Sequence, residues 1–390
     1  MKKLVLILVL SSCLWACQQN PQVDNISLSY DKVESIEIGL KAENQYNHSQ
    51  IQLIDSCTVI ALDRNFQKLD IISLCDSSFK QSVIFADDGP NRVYPVSSFY
   101  YHTADSIFLY SSDASTFQLI NSQSEILNKW RLDDNKYPKG ISDSIIGSDN
   151  YFYPLSITSS GMFYYPFIYD ANKGELLIQV IPNSELIGFG DRKTIYNAPI
   201  IGNLKLETGF FENFQGRWPE LFKRNETPNN PFVHLCFNQK NADVILTYFN
   251  SDLVFSTEKN RFFNARSNFF KEKYTLFSIA EGTEYTTEQE LEAYHQDEGY
   301  TNLVYDHYKK LYYRVAKHHL ERGHRMESNW SIIVFNEEFE ILGEVLMPKA
   351  TYNYLQILPT AKGLLISKEN PYSPTNKEKE YAFDLIEINL

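Results

Sequence analysis

The chain has 390 residues, with 36 Lys and Arg against 49 Asp and Glu, which gives a formal net charge of −13. An acidic chain without a basic cluster is poorly suited to nucleic acid, so no nucleic-acid partner is expected. The length allows one large all-β domain or two smaller ones, and the hydrophobic content of 43% is ample for a packed core. With 26 Tyr and 26 Phe, the composition favours strands over helices.

The first residues have the pattern of an export signal. Two lysines precede an apolar run from Leu4 to Leu10, which is too short to span a bilayer. A small residue and then Cys17 follow, as in bacterial lipoprotein signals, in which the cysteine is lipidated and becomes the new N-terminus. Cys13 also follows small residues, but it would leave an unusually short signal, so Cys17 is favoured.

These features predict three segments. Residues 1–16 form a lipoprotein signal peptide, residues 17–30 form the lipidated N-terminus and tether, and residues 31–390 form a single domain. The lipid would be the membrane partner of a mature chain with no other apolar span. We expect a cell-envelope location, in the outer membrane facing the periplasm, with surface exposure as the alternative.

Three cysteines remain in the predicted domain. Cys57 and Cys75 lie in neighbouring strand-like segments and could meet, but sequence does not show their geometry. Buried thiols are favoured over a disulfide for this pair. Cys236, within an apolar segment, is predicted to be a buried small residue. None of the three has metal-ligand spacing, and neither a metal nor a cofactor is expected.

One strand-and-turn pattern recurs along the chain. An apolar strand ends in Asp or Asn, a short polar turn follows, and another strand begins. Asp and Asn suit such positions because their side chains cap turn backbone. The pattern ends at six residues: Asp63, Asn121, Asp170, Asn250, Asp306 and Asn336. Repeated hairpins of this kind are typical of sandwiches, barrels and propellers.

The spacing of the hairpins favours a six-bladed β-propeller, with seven blades as the alternative. Two segments are interpreted as insertions, one near 184–230 and one near 276–299. Without them the chain offers about 45 residues for each of six four-stranded units, which is typical of propeller blades. The predicted blades cover 51–90, 97–135, 148–183, 231–275, 300–348 and 352–390.

The two ends of the domain indicate that the ring is closed by pairing between them. Ile36 and Ile38 alternate with polar residues near the N-terminus, and Ile386 and Ile388 do so at the C-terminus. A propeller whose first and last strands share a blade would pair these segments and shield their edges.

One short inserted helix is predicted. Thr287 and Glu290 fit a capping box, in which each side chain accepts from a backbone donor of the first turn. Gly299 can end the segment.

Three further segments support a family resemblance. They are Asp87-Asp88-Gly89-Pro90-Asn91, Gly216-Arg217-Trp218-Pro219-Glu220, and Tyr305-Asp306-His307-Tyr308 leading to Tyr312-Tyr313-Arg314-Val315. Together with the lipoprotein start, they resemble a family of Bacteroidetes lipoproteins, domain of unknown function 4221. The resemblance covers nearly the whole mature chain and implies a propeller-like fold. It implies no established activity, so no catalytic residue is carried over.

No segment has the pattern of a catalytic or metal site. His318, His319 and His324 lie among cations in a predicted solvated hairpin tip, which opposes metal binding. Adjacent acidic pairs in turns do not place two carboxylates across a glycosidic bond. The Gly-x-Ser-x-Gly elbow of serine hydrolases is absent from the sequence.

Aromatic residues supply the candidate binding positions. Tyr164 and Tyr165 belong to an aromatic-rich unit, and Trp218 lies in the first insertion beside a proline. Aromatic faces stack on sugars and anchor protein partners, although blade cores also use alternating Phe and Tyr. Trp218 is predicted to be an exposed contact.

The sequence therefore favours a lipid-anchored, non-enzymatic propeller that binds an envelope protein, a small ligand or a glycan through one ring face. The alternative is an envelope glycan-active enzyme, with carboxylates from several blades gathered at the channel. Converging carboxylates or histidines in the channel would favour the enzyme.

Overall fold

The computed structural model describes residues 27–39, 48–63, 66–111, 114–132, 152–154, 167–182, 196–223, 233–270, 296–370, 372–373 and 380–390. These residues form six antiparallel sheets arranged as the six blades of a β-propeller, as predicted. No helix in this part of the chain is long and apolar enough to cross a membrane.

The first strand, β1 (Ser29–Gly39), belongs to the last blade. Blade 1 consists of β2 (His48–Asp55), β3 (Thr58–Asp63), β4 (Lys68–Ser73) and β5 (Ser78–Ile84). Blade 2 consists of β6 (Ser98–Thr103), β7 (Ser106–Ser111), β8 (Thr116–Ile120) and β9 (Ile126–Arg131). Blade 3 has five strands, which are β10 (Phe152–Pro154), β11 (Phe167–Asp170), β12 (Glu175–Pro182), β13 (Ile201–Lys205) and β14 (Phe211–Gln215).

A short helix, α1 (Glu220–Lys223), leads to blade 4. Blade 4 consists of β15 (Val233–Asn238), β16 (Asp243–Tyr248), β17 (Leu253–Ser256) and β18 (Arg261–Asn264). Blade 5 consists of β19 (Gly299–Asp306), β20 (Leu311–Lys317), β21 (Trp330–Asn336) and β22 (Ile341–Met347), with a 3-10 helix (Arg325–Glu327) between β20 and β21. Blade 6 consists of β23 (Ile357–Thr360), β24 (Gly363–Ser367) and β25 (Glu380–Asn389), completed by β1.

The third blade corrects the predicted organisation. The segment 184–230 was interpreted as an insertion, but β13 and β14 lie within it and complete the blade. Gln179 of β12 pairs with Ile201 of β13, and Ile201 and Leu204 are buried. The two strands are short and lie among polar and glycine residues, so the sequence pattern did not reveal them. The helix predicted at 287–290 lies outside the described residues.

Ring closure occurs as predicted. β25 pairs with β24 on one side and with β1 on the other, and the register joins Ile36 to Phe383. β1 begins at Ser29, two residues before the predicted domain boundary at residue 31. Leu28 N donates to the backbone oxygen of Glu344 in β22, the outermost strand of blade 5. The chain therefore enters the ring at its outer rim, between blades 5 and 6.

Six apolar clusters fill the six spaces between neighbouring blades. Between blades 1 and 2, for example, Leu62 and Val83 pack with Phe99 and Leu109. The other clusters join the remaining pairs of neighbouring blades in the same way. Because every blade is covered on both faces, middle strands such as β20 are buried along their whole length. This explains the nearly continuous apolar runs in their sequences.

The Asp and Asn residues of the repeated pattern cap their turns. Five of the six predicted side chains accept hydrogen bonds from backbone N–H groups that follow them: Asp63, Asn121, Asp170, Asp306 and Asn336. The turn at Asn250 differs, because there the hydroxyl of Ser251 accepts from Leu253 N.

Side-chain amides link the inner strands of blades 1 and 2. Gln50 of β2 accepts from Phe99 N at 2.8 Å and donates to Phe99 O at 3.0 Å. Gln52 makes the same two bonds with Tyr101. The amides take the place of a neighbouring strand at the inner edge of β6, and so satisfy backbone groups that the sheet leaves unpaired.

A buried arginine links blades 4 and 5. Arg314 of β20 has no exposed surface, and its guanidinium lies 3.4 Å from the ring centre of Tyr300. It donates to Thr247 Oγ1 at 2.7 Å. It also donates to four backbone oxygens, those of Ser251, Asp252, Leu253 and Ala265. The charge is thus surrounded by acceptors that belong to the neighbouring blade.

Cys57 and Cys75 form a disulfide, with their Cα atoms 5.3 Å apart. The expectation of two buried thiols was wrong. Antiparallel strands place the β2–β3 turn and the β4–β5 turn at the same end of blade 1, which brings the two cysteines together. Cys236 is a buried free thiol, as predicted.

Candidate functional site

The turns between the first and second strands of all six blades surround one end of the channel. First strands of successive blades contact each other, as in β2 with β6, β6 with β11, β15 with β19 and β19 with β23. Their turns therefore form one mouth, here called the A–B mouth. It comprises residues 56–57, 104–105, 171–174, 239–242, 307–310 and 361–362.

Buried caps fix the direction of these turns. Asp306 is fully buried, and its Oδ1 accepts from Tyr308 N at 2.8 Å and from Lys309 N at 3.0 Å. Asp170 and Asn238 accept in the same way from the second residue after them. Because the caps lie below the surface, the residues that follow them are held on a rigid base.

Blades 2, 3 and 4 meet at this mouth. Gln239 Nε2 lies 3.5 Å from the hydroxyl of Tyr100, so a turn of blade 4 reaches the inner strand of blade 2. The imidazole of His102 stands edge-on to the ring of Tyr169 in blade 3, with 5.0 Å between centroids. Burial raises the pKa of Tyr100, which keeps the phenol neutral and able to donate. Aromatic rings, a phenol and an amide are groups that bind sugars and polar ligands.

Blade 5 contributes a carboxylate that is already paired. Glu337 accepts from the hydroxyl of Tyr305 at 2.6 Å, and Lys240 Nζ of blade 4 lies 3.1 Å from its other oxygen. The hydrogen bond from Tyr305, assisted by Lys240, holds the pKa of Glu337 below its ordinary value. Glu337 is therefore ionised and neutralised by a neighbour, which is unsuited to a general acid.

Three further acids near the A–B mouth cap the structure. Asp170 and Asp306 hold their turns, and buried Asp243 accepts from Ser256 Oγ and Glu258 N. Glycoside hydrolysis needs one carboxyl group with a raised pKa and a second carboxylate opposite it. At this mouth Asp170, Asp243 and Asp306 are occupied as hydrogen-bond acceptors, and Glu337 is occupied by Tyr305 and Lys240.

The carboxyl groups with raised pKa values lie at the opposite end of the ring. Burial raises the pKa of Glu344, which accepts from the hydroxyls of Ser331 and Ser267 and from Asn268 N. His318 Nε2 lies 2.8 Å from the Ser331 hydroxyl, and burial lowers the pKa of His318 to about 4.

This chain of hydrogen bonds has the wrong order for a catalytic triad. A triad places histidine between serine and carboxylate, so that the imidazole accepts the hydroxyl proton. Here the hydroxyl of Ser331 lies in the middle and donates to Glu344. His318 therefore cannot take that proton, and the arrangement joins β21 and β22 to the chain that leaves blade 4.

A buried lysine lies beside this network. Lys317 Nζ donates to the backbone oxygen of Asp297, and burial lowers the pKa of Lys317 to about 7. Burial likewise raises the pKa of Asp297 to about 6. Since Lys317 has no exposed surface, its amine supports the loop before β19 and is closed to solvent.

Trp218, one of the residues predicted as binding positions, does not belong to this site. Trp218 was predicted to be exposed, but it is 6% exposed and packs against Tyr196, Phe222 and Tyr248. The prediction was wrong because the loop containing Trp218 folds over β16, where the indole completes the core between blades 3 and 4. Tyr164, Tyr165 and Cys17 lie outside the described residues.

The predicted solvated histidine tip is only partly confirmed. His319 is exposed, but His318 is partly buried between Phe269 and Phe270. His324 Nδ1 accepts from Met326 N and begins the 3-10 helix. No group of described residues has the composition and spacing to hold a metal ion.

Sequence reasoning missed the residues of the A–B mouth. Asp170 and Asp306 were identified as turn residues, but the positions after them were not compared between blades. That comparison would have brought Lys173, Lys240 and Lys310 together, because each follows the end of a first strand by two to four residues.

Fold and site together define a six-bladed propeller with a polar and aromatic channel mouth. A family model described as a domain of unknown function (DUF4221) matches residues 25–346, and the chain belongs to that family. The resemblance expected from the three sequence segments is thus confirmed.

The chain is similar to several solved structures. A member of the same family from Bacteroides vulgatus superposes with a TM-score of 0.72 at 20% identity, over 93% of this chain and 99% of that chain. A protein assigned as exported, from Bacteroides fragilis, gives 0.48 at 10% identity, over 95% and 98%. The PQQ-bound aldose sugar dehydrogenase from Streptomyces coelicolor gives 0.44 at 10% identity, over 93% and 99%. No protein with a curated description matches the chain.

Proposed function

We propose that the protein is a binding module of the cell envelope whose ligand docks at the A–B mouth. The observation that carries this proposal is the convergence of Tyr100, Tyr169 and Gln239 from three blades at one channel end. The caps beneath the turns give these groups a rigid base, which reduces the entropy lost on binding. Glu337 is neutralised by Lys240, which favours a binding role over the glycan-active alternative.

The envelope location rests on two features. The lipoprotein pattern ending at Cys17 directs the chain out of the cytoplasm and supplies a lipid anchor. The Cys57–Cys75 disulfide supports the same direction, because disulfides persist in oxidising compartments such as the periplasm. Cys17→Ala is expected to abolish incorporation of labelled fatty acid, whereas labelling that is lost only with Cys13→Ala would overturn the assignment.

The binding role is tested with a double variant of the mouth, Gln239→Ala with Tyr308→Ala. Both side chains are exposed on the turns, so the ring should fold normally. The wild-type protein and the variant are compared for stoichiometric capture of envelope proteins and on a glycan array. Phe210→Ala is the matched control, because Phe210 is an exposed aromatic residue on the β13–β14 turn, away from the mouth.

Loss of the ligand in the double variant and its retention in the control would support the mouth as the binding site. Equal binding by all three proteins would contradict it.

A further inference from the structure

The lysines of this acidic protein are distributed unevenly at the end of the ring that contains the A–B mouth. The four inner turns of blades 3 to 6 contain five lysines and no acidic residue: Lys173, Lys240, Lys309, Lys310 and Lys362. Their side chains are exposed, except that of Lys309, which is partly buried. In a chain with 49 acidic and 36 basic residues, four neighbouring turns without an acid run against the overall composition.

The outer turns at the same end carry the opposite charge. They connect the third and fourth strands of blades 3 to 5, and they contain five glutamates and one lysine: Glu207, Glu258, Glu337, Glu338, Glu340 and Lys259. Charge therefore changes sign along the radius, from lysines around the channel to glutamates outside. Clefts lined by one sign of charge focus the field and attract ligands of the opposite sign.

Existing ion pairs leave the lysines available. Lys173 Nζ lies 3.6 Å from an oxygen of buried Asp170, and Lys309 Nζ lies 3.5 Å from Glu387. Each of these lysines keeps part of its side chain in solvent, where water and salt weaken the pairing, so an incoming anion can compete for the ammonium group. Buried Asp170, Glu175, Asp243 and Asp306 flank these turns and offset part of the charge. Lys240 Nζ lies 3.1 Å from Glu337 in a solvent-exposed ion pair, so the outward-facing surplus rests chiefly on Lys310 and Lys362.

The charge at the A–B mouth also differs from one side of the ring to the other. The inner turns of blades 1 and 2 contain no lysine, and the β6–β7 turn contains Asp105. An anionic ligand would therefore lie toward blades 3 to 6. There it would meet the amide of Gln239 and the exposed ring of Tyr308, which is 41% exposed.

We infer that the ligand of the A–B mouth is an acidic glycan, bound by lysines at its anionic groups and by aromatic and amide groups at its sugar rings. The inference rests on the proposed binding function and adds the ligand class. A flat anionic membrane would also face the outer glutamates, which disfavours that partner by charge repulsion.

The test compares two triple variants with the same change in net charge. The mouth variant carries Lys240→Gln, Lys310→Gln and Lys362→Gln. The control variant carries Lys80→Gln, Lys129→Gln and Lys349→Gln, three exposed lysines that lie outside the inner turns. Residues 27–390 of each protein are titrated calorimetrically with polygalacturonate, heparin and neutral dextran at 50 and 300 mM NaCl.

The wild-type and control proteins are expected to bind an acidic probe but not dextran, and binding should weaken at high salt. The mouth variant should bind at least about tenfold more weakly at 50 mM NaCl, with a smaller salt dependence. Binding of polygalacturonate but not heparin would assign carboxylate as the anion, and the reverse result would assign sulfate.

Equal weakening in both triple variants would overturn the inference, and so would the absence of binding to either acidic probe. A different result would overturn only the assignment of an acidic ligand. In that result, a neutral glycan or an envelope protein binds to the wild-type protein and to the lysine variant, but not to the Gln239→Ala, Tyr308→Ala variant. In that case the A–B mouth would stand as the binding site.

Discussion

Arg314 carries a full positive charge in a position closed to solvent. Transfer of such a charge out of water is costly unless hydrogen bonds and nearby dipoles replace the lost hydration. Here one hydroxyl and four backbone oxygens do so, together with the face of Tyr300. The cost of removing the guanidinium is therefore set by the carbonyls it would leave unsatisfied in blade 4.

Arg314→Met is expected to lower the free energy of unfolding by about 3 kcal/mol or more, because several buried acceptors lose their donor at once. Urea unfolding followed by tryptophan fluorescence measures the change. Arg322→Met, at an exposed position in the same blade, is the control and should change stability by less than about 0.5 kcal/mol. A similar small effect for both variants would show that the buried charge contributes little.

Glu369 links stability to pH. Burial raises its pKa from the ordinary 4.5 to about 7, while a hydrogen bond from Ala382 N opposes the shift. The folded chain therefore holds this proton more tightly than the unfolded chain. The resulting stabilisation is complete below pH 4.5 and is lost as the pH rises through about 7.

Glu369→Gln removes the titration but keeps an acceptor for Ala382 N. Between pH 4.5 and pH 8 the wild-type protein is expected to lose about 1–3 kcal/mol more stability than the variant. Denaturant melts of the two proteins across this range provide the comparison. Parallel pH profiles would show that Glu369 titrates normally.

At the scale of elements, side chains provide hydrogen-bond partners for the unpaired inner edges of the blades. A first strand has an unpaired edge facing the channel, and its buried N–H and C=O groups need partners. In blade 2 these partners are the amides of Gln50 and Gln52, which donate and accept at once. Asn and Gln side chains suit a strand edge because their amides carry an N–H donor and a C=O acceptor side by side.

Gln50→Met is expected to destabilise the fold by about 2 kcal/mol, because methionine keeps the shape but leaves two buried backbone groups of Phe99 unpaired. Gln52→Met should cost less, since Gln52 is partly exposed and water can replace the amide. Equilibrium unfolding of both variants tests the order of the two effects. If Gln52→Met proved the more damaging, burial would not be the deciding factor.

The elements also show what sequence can and cannot predict. Blade number, ring closure and the turn caps followed from local signals, namely the spacing of hairpins, the alternation at both ends, and Asp or Asn after a strand. The third blade was misassigned because β13 and β14 are short and lie among turn residues. Trp218 and the disulfide were mispredicted because burial and cysteine pairing depend on which turns meet in three dimensions.

The A–B mouth lies at the limit of sequence reasoning for the same reason. Its residues are far apart along the chain, as Tyr100 and Gln239 illustrate, and no local pattern marks them. They become neighbours only when the number of blades and the strand order are both known. The cap residues beneath them were predictable from the sequence. The function of the residues above the caps could be inferred only from the arrangement of blades in the ring.

At the scale of the whole molecule, closure of the ring determines how cooperatively the domain unfolds. β25 lies between β24 and β1, so it joins the N-terminal strand to the rest of blade 6. Its residues Phe383 and Leu385 also pack in the cluster shared with blade 1. Loss of β25 would therefore open the ring and expose apolar surface on two blades.

Deletion of residues 382–390 is expected to destabilise the entire domain, with a melting temperature lower by at least about 10 °C or no cooperative transition. Differential scanning calorimetry measures this change. Removal of Leu390 alone is the control, because Leu390 is exposed and lies beyond β25. A truncated protein that melts like the wild type would refute closure through this strand.

The entry of the chain at the outer rim has a consequence for how ligands arrive. Ten peptide units separate Cys17 from Ser27, and fully extended they span at most about 35 Å. If Cys17 carries the lipid, the ring is held by its edge between blades 5 and 6, and neither channel end needs to face the bilayer. Ligands could then approach parallel to the membrane plane, and a long polymer lying along the envelope could reach the lysines without passing beneath the protein.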